Sequence, residues 1–468
     1  MNVRLLLGPG LLFLATASPA QNFLGLSTNP RSGTHRTYIN PALSADSPHK
    51  FDLNIAAANI HVNNNFVRYQ APYSILTLLT NNVPDQYKRP DGSLDFKPAY
   101  TKEILDGQPK NVTVWGELRG PALRLPVGEG GSLTLSTRLR GTAQVLGASE
   151  DLLSAIRASL ADNALYSIPN QNNRFNVGAN VYSEYALTYA KPIAETDAVR
   201  VLAGATLKYL RGFTAGYLVN NQLNYSLQSE TTPPNNPYLQ ISQIDARMAF
   251  TNYLQNKPLT MSTFFSGNVP GKGVGADFGI AIMNQVEDDQ PVWQLSLSLT
   301  DFGTIFYNGE SYDINEQNVK ITPGDFNNVS VTSPEQVANV VREKLNLSPA
   351  TSIGHFKMTL PTALNLTADL QATDKVGIGF VWRQNVLSSQ AAAVRQPTLL
   401  SVVPRYDTKL ITLAAPVTYL NQTILLGLSA RVGPFWLGSD NIFGLIGNGN
   451  NGIHPRGTDL YAGVCFGF

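Results

Sequence analysis

The sequence predicts an all-β fold, a transmembrane antiparallel β-barrel of about fourteen strands with a few loop helices. Three observations point there. Period-two apolar stripes run longer than the roughly five or six residues usual for strands of soluble proteins, the clearest from Leu133 to Val145. Past the first twenty residues there is no apolar run of about 18, so helices cannot span a membrane and a closed barrel is the remaining way to do so. Charged residues make up 14% of the chain and mean hydropathy is −0.09. The charged share is below the roughly 25% of soluble domains, and apolar and polar residues alternate instead of segregating.

Met1 to Ala20 reads as an export signal, with Arg4 as its positive start, Leu5–Ala15 as its apolar stretch and Ser18-Pro19-Ala20 as a small-residue cleavage site. The domain division that follows is 1–20 signal, 21–50 a segment ahead of the first strand, and 51–468 the barrel. The residue directly after the cleavage point is Gln21, not a Cys, which speaks against a lipoprotein anchor, and Cys465 is the single cysteine, so no internal disulfide can form. Stability has to come from strand pairing and packing.

The strands are then expected at Phe51–Val62, Val112–Leu118, Leu133–Val145, Phe175–Tyr189, Val199–Tyr209, Tyr217–Leu227, Val274–Ile282, Trp293–Leu299, Phe356–Leu370, Val376–Trp382, Leu399–Leu413, Ile424–Val432, a short piece near Phe435, and the terminal stretch. In the third, Leu133, Leu135, Leu139 and Val145 share one face and Thr134, Ser136, Arg138, Arg140 and Gln144 the other, as hydrocarbon outside and a polar lumen inside require. The last strand puts Leu460, Ala462, Val464, Phe466 and Phe468 on one face, and an apolar stripe running to the final residue suits lipid better than water. Tyr189, Tyr209, Trp293, Trp382 and Trp436 fit interfacial aromatic girdles. The polar faces nominate a lumen lining of Arg138, Arg140, Asn180, Glu184, Lys208, Asp277, Asp369 and Arg383.

Long connections are expected at Asn63–Asn111, Ser229–Gly271 and Asn308–Ser352, and tight turns at Pro192–Asp197, Thr373-Asp374-Lys375 and Gly433-Pro434. Counted along this strand list, some long connections fall at opposite ends of the barrel. Glu150–Asp162, Ile241–Leu254 and Pro334–Leu345 carry helical apolar spacing, the last with Ser333 and Gln336 as a capping pair, and are assigned to loop helices.

Catalytic and metal chemistry has little support. The five histidines are scattered without a His-Glu-x-x-His, there is no Gly-x-Ser-x-Gly and no phosphate-binding loop, so the reading is a non-enzyme without metal or cofactor. Asp440-Asn441 falls short of a calcium loop and is read as a cap or turn. A net charge of +1 gives no field for nucleic acid.

Four strings in order, Gly33-Thr34 to Asn40-Pro41-Ala42, Gly271-Lys272-Gly273-Val274-Gly275-Ala276-Asp277-Phe278-Gly279, Leu299-Thr300-Asp301-Phe302-Gly303, and Gly433 to Asn441, resemble an uncharacterised outer-membrane β-barrel family of Bacteroidota. That family is similar to the fatty-acid-transporter-like barrels and to the shuttle barrel of type IX secretion. The resemblance implies residence in the outer membrane of a Gram-negative cell, and Asn40, Pro41 and Ala42 resemble a segment that plugs related barrels. Residues 21–50 are therefore expected to be plug-like, occupying space left by the bare glycine face of Gly271–Gly279. Asp277, on that face, is expected to pair with a lumen arginine such as Arg138. The terminal Phe466 and Phe468 resemble the signal read by the barrel-assembly machinery. The expected work is passage or binding of a small hydrophobic molecule. The alternative is a structural or secretion-accessory barrel that binds a protein partner at the cell surface.

Overall fold

The computed structural model describes residues 23–27, 29–231, 235–252, 268–284, 292–327 and 334–468. The export signal and the Ser333 cap lie outside them. Fourteen strands close into one antiparallel ring. They are β1 (Asp52–Asn64), β2 (Lys110–Val127), β3 (Gly131–Ala148), β4 (Asn170–Glu195), β5 (Val199–Ser229), β6 (Gly271–Asn284) and β7 (Trp293–Asn308). Next come β8 (His355–Thr359 continued by Ala363–Gln371), β9 (Val376–Asn385) and β10 (Leu399–Asp407). The last four are β11 (Ile411–Ala414 and Val417–Leu420), β12 (Thr423–Leu426 and Leu428–Val432), β13 (Phe435–Ser439) and β14 (Gly457–Gly467).

Closure is made by β1 and β14, paired from Asp52 with Gly467 to Asn63 with Gly457. A ring without an edge leaves no row of unpaired backbone groups facing hydrocarbon. The faces follow the alternation: Thr134, Ser136, Arg138, Arg140, Thr142 and Gln144 are buried inside, while Leu135, Leu187, Leu207, Phe278, Ile280 and Leu437 stand exposed outside. Tyr189, Tyr209 and Trp293 are exposed as girdle residues would be, but Trp436 is buried inward beneath Arg431, whose guanidinium lies 5.7 Å from the indole ring.

The turns 128–130, 196–198, 372–375, 408–410 and 433–434 all lie at one end. That end also ties the two termini of the ring, Lys50 N–H donating to Phe468 O at 2.7 Å. The described residues of the connections 65–109, 149–169, 230–270, 309–354, 386–398 and 440–456 all lie at the other. This removes the inconsistency of the sequence-derived strand list, whose cause is the strand count on the way round. Val199–Tyr209 and Tyr217–Leu227 are halves of β5, 31 residues long. Across the join Arg211–Gly216 the pairing with β4 continues through a one-residue bulge at Phe213, and a Cβ at Gly212 would lie 2.3 Å from the Tyr307 ring, so glycine there makes room for tyrosine.

Ile241–Leu254 is not a helix. Pro237–Phe250 is a strand, paired to β5 on one side and to Glu310–Glu316 and Val319–Ile321 on the other. Ser242 is an extra residue in its pairing with β5, since Tyr225 faces Ile241 and Asn224 faces Gln243. The bulge moves the buried apolar series from Leu239 and Ile241 to Ile244, Ala246 and Met248, and that phase change mimics helical spacing. The stretches read as loops thus carry strands. With the helices Glu150–Arg157 and Pro334–Lys344 they enclose a second apolar core containing Leu152, Leu223, Ile241, Met248, Ile314 and Leu345.

Candidate functional site

The lumen is filled in layers, the lowest by the N-terminal segment. Asn29 and Asn40 each cap a short 3-10 turn, Pro30–Tyr38 and Pro41–Ala45. Their remaining amide protons fasten the segment to the wall: Asn29 Nδ2 donates to Asp407 Oδ1 (2.8 Å), and Asn40 Nδ2 to the carbonyls of Ile280 (3.0 Å) and Leu297 (3.2 Å). Arg36 donates to Gln294 (2.6 Å) and Asp46 (2.9 Å), and Ser44 shares a hydrogen bond with Thr134 (2.7 Å). Two glycines make the seat. A Cβ at Gly279 would fall 1.9 Å from Asn40 Oδ1, and one at Gly204 would fall 2.5 Å from Ala42 N. The rest of the bare glycine face is occupied differently: Tyr307 covers Gly271, the Thr304–Ile305 backbone covers Gly273, and Leu360 covers Gly275.

Above this segment lies a charged layer drawn from six strands. Arg138 and Arg140 (β3), Glu184 (β4), Lys208 (β5) and Asp277 (β6), all expected to line the lumen, meet Glu117 and Arg119 (β2) and Asp301 (β7). Arg138 donates to Glu184 (2.7 Å), Arg140 to Asp301 (2.8 Å), and Arg119 to Glu117 (2.6 Å). Lys208 bridges Asp277 (2.6 Å) and Asp301 (2.7 Å). Asp277 is therefore paired with Lys208, not Arg138; Thr206 faces Asp277 across the β5–β6 ladder, which puts Lys208 one step along the same inward row. Asp277 Oδ1 also accepts the Asp301 N–H at 2.6 Å. Burying such pairs costs desolvation comparable to their attraction, so they specify an arrangement more than they stabilise the barrel.

The other nominated residues lie around this layer. Asn180 accepts a hydrogen bond from Tyr307 (2.6 Å), and Arg383 donates to Asn365 (2.9 Å). Asp369 is apart, paired with Arg405, which also holds Asp407 (2.6 Å). The connection 386–398 dips inward, where Gln396 donates to Asp301 (3.2 Å) and Arg395 N–H to Gln144 (2.6 Å). Arg119 is wedged between two rings of the N-terminal segment, 4.0 Å above Phe23 and 4.2 Å from Tyr38, and donates to His35 (2.8 Å). The N-terminal layer and the charged layer are thereby one packed unit.

Glu117 and Arg119 share the inward face of β2 and were legible from its alternation. Asp301 was not: with φ 57° it sits in a bulge where the β6–β7 pairing jumps from Leu299 to Phe302, so Thr300 and Asp301 both turn inward. The available signal was a carboxylate on the hydrocarbon-facing phase of an apolar strand, a costly placement.

A model of a family of unknown function, DUF5723, matches residues 41–440. The chain belongs to that family. No curated protein matches it significantly. Among solved structures it is similar to a mutant of the monoaromatic hydrocarbon channel TodX, at 10% identity and TM-score 0.42, covering 96% of this chain and 97% of that one. It is also similar to the Ralstonia pickettii toluene transporter TbuX, at 9% identity and TM-score 0.38, covering 97% and 98%. A Pseudomonas aeruginosa FadL homologue aligns at 9% identity and TM-score 0.24, covering 96% and 97%. At these TM-scores none of the three bears on what this chain does.

Proposed function

We propose that the protein resides in the outer membrane of a Gram-negative cell and binds a small hydrophobic molecule, which it passes between the barrel and the bilayer. The observation that carries this reading is an apolar groove of about 560 Å³ on the hydrocarbon-facing wall, lined by Leu53, Leu123, Leu135, Leu187, Leu207 and Val274. It surrounds a break in β2. Gly120 and Pro121 are skipped by the ladders to both neighbours, and their carbonyls are satisfied by side chains instead, Asn54 Nδ2 at 2.7 Å and Thr137 Oγ1 at 3.1 Å. Side-chain bonds at one spot of the wall can exchange partners without unzipping a strand. Directly behind the break Arg119 meets the N-terminal segment, which occupies the lumen as a plug in this reading.

Uptake of N-phenyl-1-naphthylamine, a small uncharged aromatic that fluoresces in hydrocarbon, tests it. Cells carrying the protein should take the probe up faster than cells without it, and Val274→Trp, which fills the groove with an equally apolar side chain, should remove most of the gain. Equal uptake with and without the protein, or by wild type and variant, refutes the proposal.

The surface-partner reading has its own support in Leu76 and Leu79, exposed on the short helix Ile75–Leu79 at the long-connection end. Under that reading a protein partner co-purifies with wild type and is lost from Leu76→Ser/Leu79→Ser. Biogenesis through the barrel-assembly machinery is assigned to the terminal aromatics, Phe466 and Phe468, stacked outward with centroids 6.0 Å apart.

A further inference from the structure

We propose that the lumen binds a carboxylate-type monoanion between Arg140 and Arg383. The site goes beyond the passage reading and does not depend on it. The charged layer holds Arg119, Arg138, Arg140, Lys208 and Arg383 against Glu117, Glu184, Asp277 and Asp301, one cation more than carboxylates, and all nine are buried. Arg383 is the unmatched charge. Its one hydrogen bond among the described residues goes from Nε to the neutral Asn365 amide, at 2.9 Å, and its Nη1 is buried without a partner. The same Asn365 amide donates to Thr300 Oγ1 at 3.0 Å, and Thr300 adjoins the Asp301 whose carboxylate accepts from Arg140.

The other unsatisfied atoms of this layer are almost all donors: Arg138 Nε, Arg140 Nη2 and Asn180 Nδ2, with the Tyr182 hydroxyl. The Asn180 amide is oriented by Tyr307, whose hydroxyl donates to its oxygen at 2.6 Å, which turns the NH2 into the free end. Gln396 Oε1 is an unsatisfied acceptor there, and the unsatisfied Tyr38 and Tyr182 hydroxyls can either donate or accept. Arg140 and Tyr182 share a wall, with the guanidinium 5.6 Å from the ring, and Arg140 and Gln396 both reach Asp301 Oδ2.

Buried charge without a counter-charge is costly, and so is each buried donor left without an acceptor. Water answers the second need but not the first. A monoanion answers both, and a carboxylate matches the planar fork of a guanidinium. Tyr182, Tyr307 and Leu360 pack beside the layer as an apolar cluster, so the carboxylate could be a free small acid or the head of a molecule with an apolar tail.

Calorimetric titration of the purified full-length protein in an uncharged detergent with sodium acetate, sodium hexanoate and hexan-1-ol tests the site. Wild type should bind at least one of the carboxylates and not the alcohol. Tighter hexanoate marks a head group with a tail, and equal affinities mark a free acid. Arg383→Gln should weaken binding at least tenfold and Arg383→Lys less. Without ligand, Arg383→Gln should melt no lower than wild type, because it removes an uncompensated charge. No carboxylate binding by wild type, unchanged binding by Arg383→Gln, equal binding of hexan-1-ol, or a fall in the melting temperature or folding yield of Arg383→Gln would each overturn the proposal.

Discussion

Replacing Asp301 with Asn isolates what one carboxylate does for the barrel interior. Asparagine has nearly the same shape and tolerates the left-handed backbone that φ 57° imposes, so the bulge survives and only charge is lost. Asp301 accepts from Lys208 (2.7 Å), Arg140 (2.8 Å), Gln396 (3.2 Å) and Arg138 (3.4 Å). Its neutralisation leaves three buried cations facing one carboxylate fewer, and breaking a buried pair from one side typically costs about 3–5 kcal/mol. The loss should appear in urea unfolding of the refolded protein in detergent, followed by tryptophan fluorescence and by the mobility difference between folded and heated barrel on gels. Asp313→Asn, on an exposed strand position of the long-connection end, should change stability by no more than about 0.5 kcal/mol. Adding Lys208→Met to Asp301→Asn restores the charge balance, so the double variant should be less destabilised than the sum of the single ones. A loss below about 1 kcal/mol for Asp301→Asn would mean that water screens this layer, and the reasoning from a dry lumen would fail.

Gly279→Ala should push Asn40 off its two wall carbonyls, costing about 1–3 kcal/mol and making Ser44→Cys reactive to maleimide in the folded barrel; Gly354→Ala, which meets open space, is the control, and an unreactive Ser44→Cys in the Gly279→Ala background contradicts the seat described here. Acid should release the helix Pro334–Lys344 before the barrel unfolds. Burial raises the Glu310 carboxyl, but hydrogen bonds from Tyr312, Arg342 and Asn252 and the Arg342 charge outweigh it and hold the group below its usual range. Asp325 is held low in the same way, with Lys344 and the Thr322 backbone outweighing burial. The support these pairs give is complete above the ordinary carboxylate range near about 4.3 and is lost as pH falls through the lower folded values. Protease cleavage within residues 334–344 should rise over that interval, and Glu310→Gln should be cleaved already at neutral pH; a flat profile for wild type removes the ion pairs from the account.

What the sequence disclosed was whatever depends on the period of two. Arg138 and Arg140 inside with Leu135 outside, the terminal aromatic face and the turns Thr373-Asp374-Lys375 and Gly433-Pro434 are local consequences of a pleated strand between lipid and lumen. Three departures from that pattern have a bulge or a glycine behind them. Ser242 shifts the phase of Pro237–Phe250 and produces a false helix; Gly212 yields space to Tyr307 and looks like a strand end; Asp301 leaves the apolar phase of β7 by adopting a left-handed turn. These are residues at which the chain departs from the regular ladder, and a pattern read along one strand records the departure only as noise.

The composition of the charged layer follows from the same cause. Arg138 meets Glu184 because β3 and β4 are neighbours in register, but Arg140 meets Asp301 only because the ring closes and brings β3 across from β7. Strand alternation therefore identifies which side chains enter the lumen, while closure decides their partners. Asp277 illustrates the difference: its inward direction follows from alternation with Val274, Ala276 and Phe278, whereas its choice of Lys208 over Arg138 follows from the β5–β6 register and from Asp301 occupying the space between. The same logic singles out Arg383. Four of the five cations have a carboxylate partner, Arg140 only through closure of the ring, and Arg383 has none even there, so its unmatched charge belongs to the assembled lumen and to no single strand.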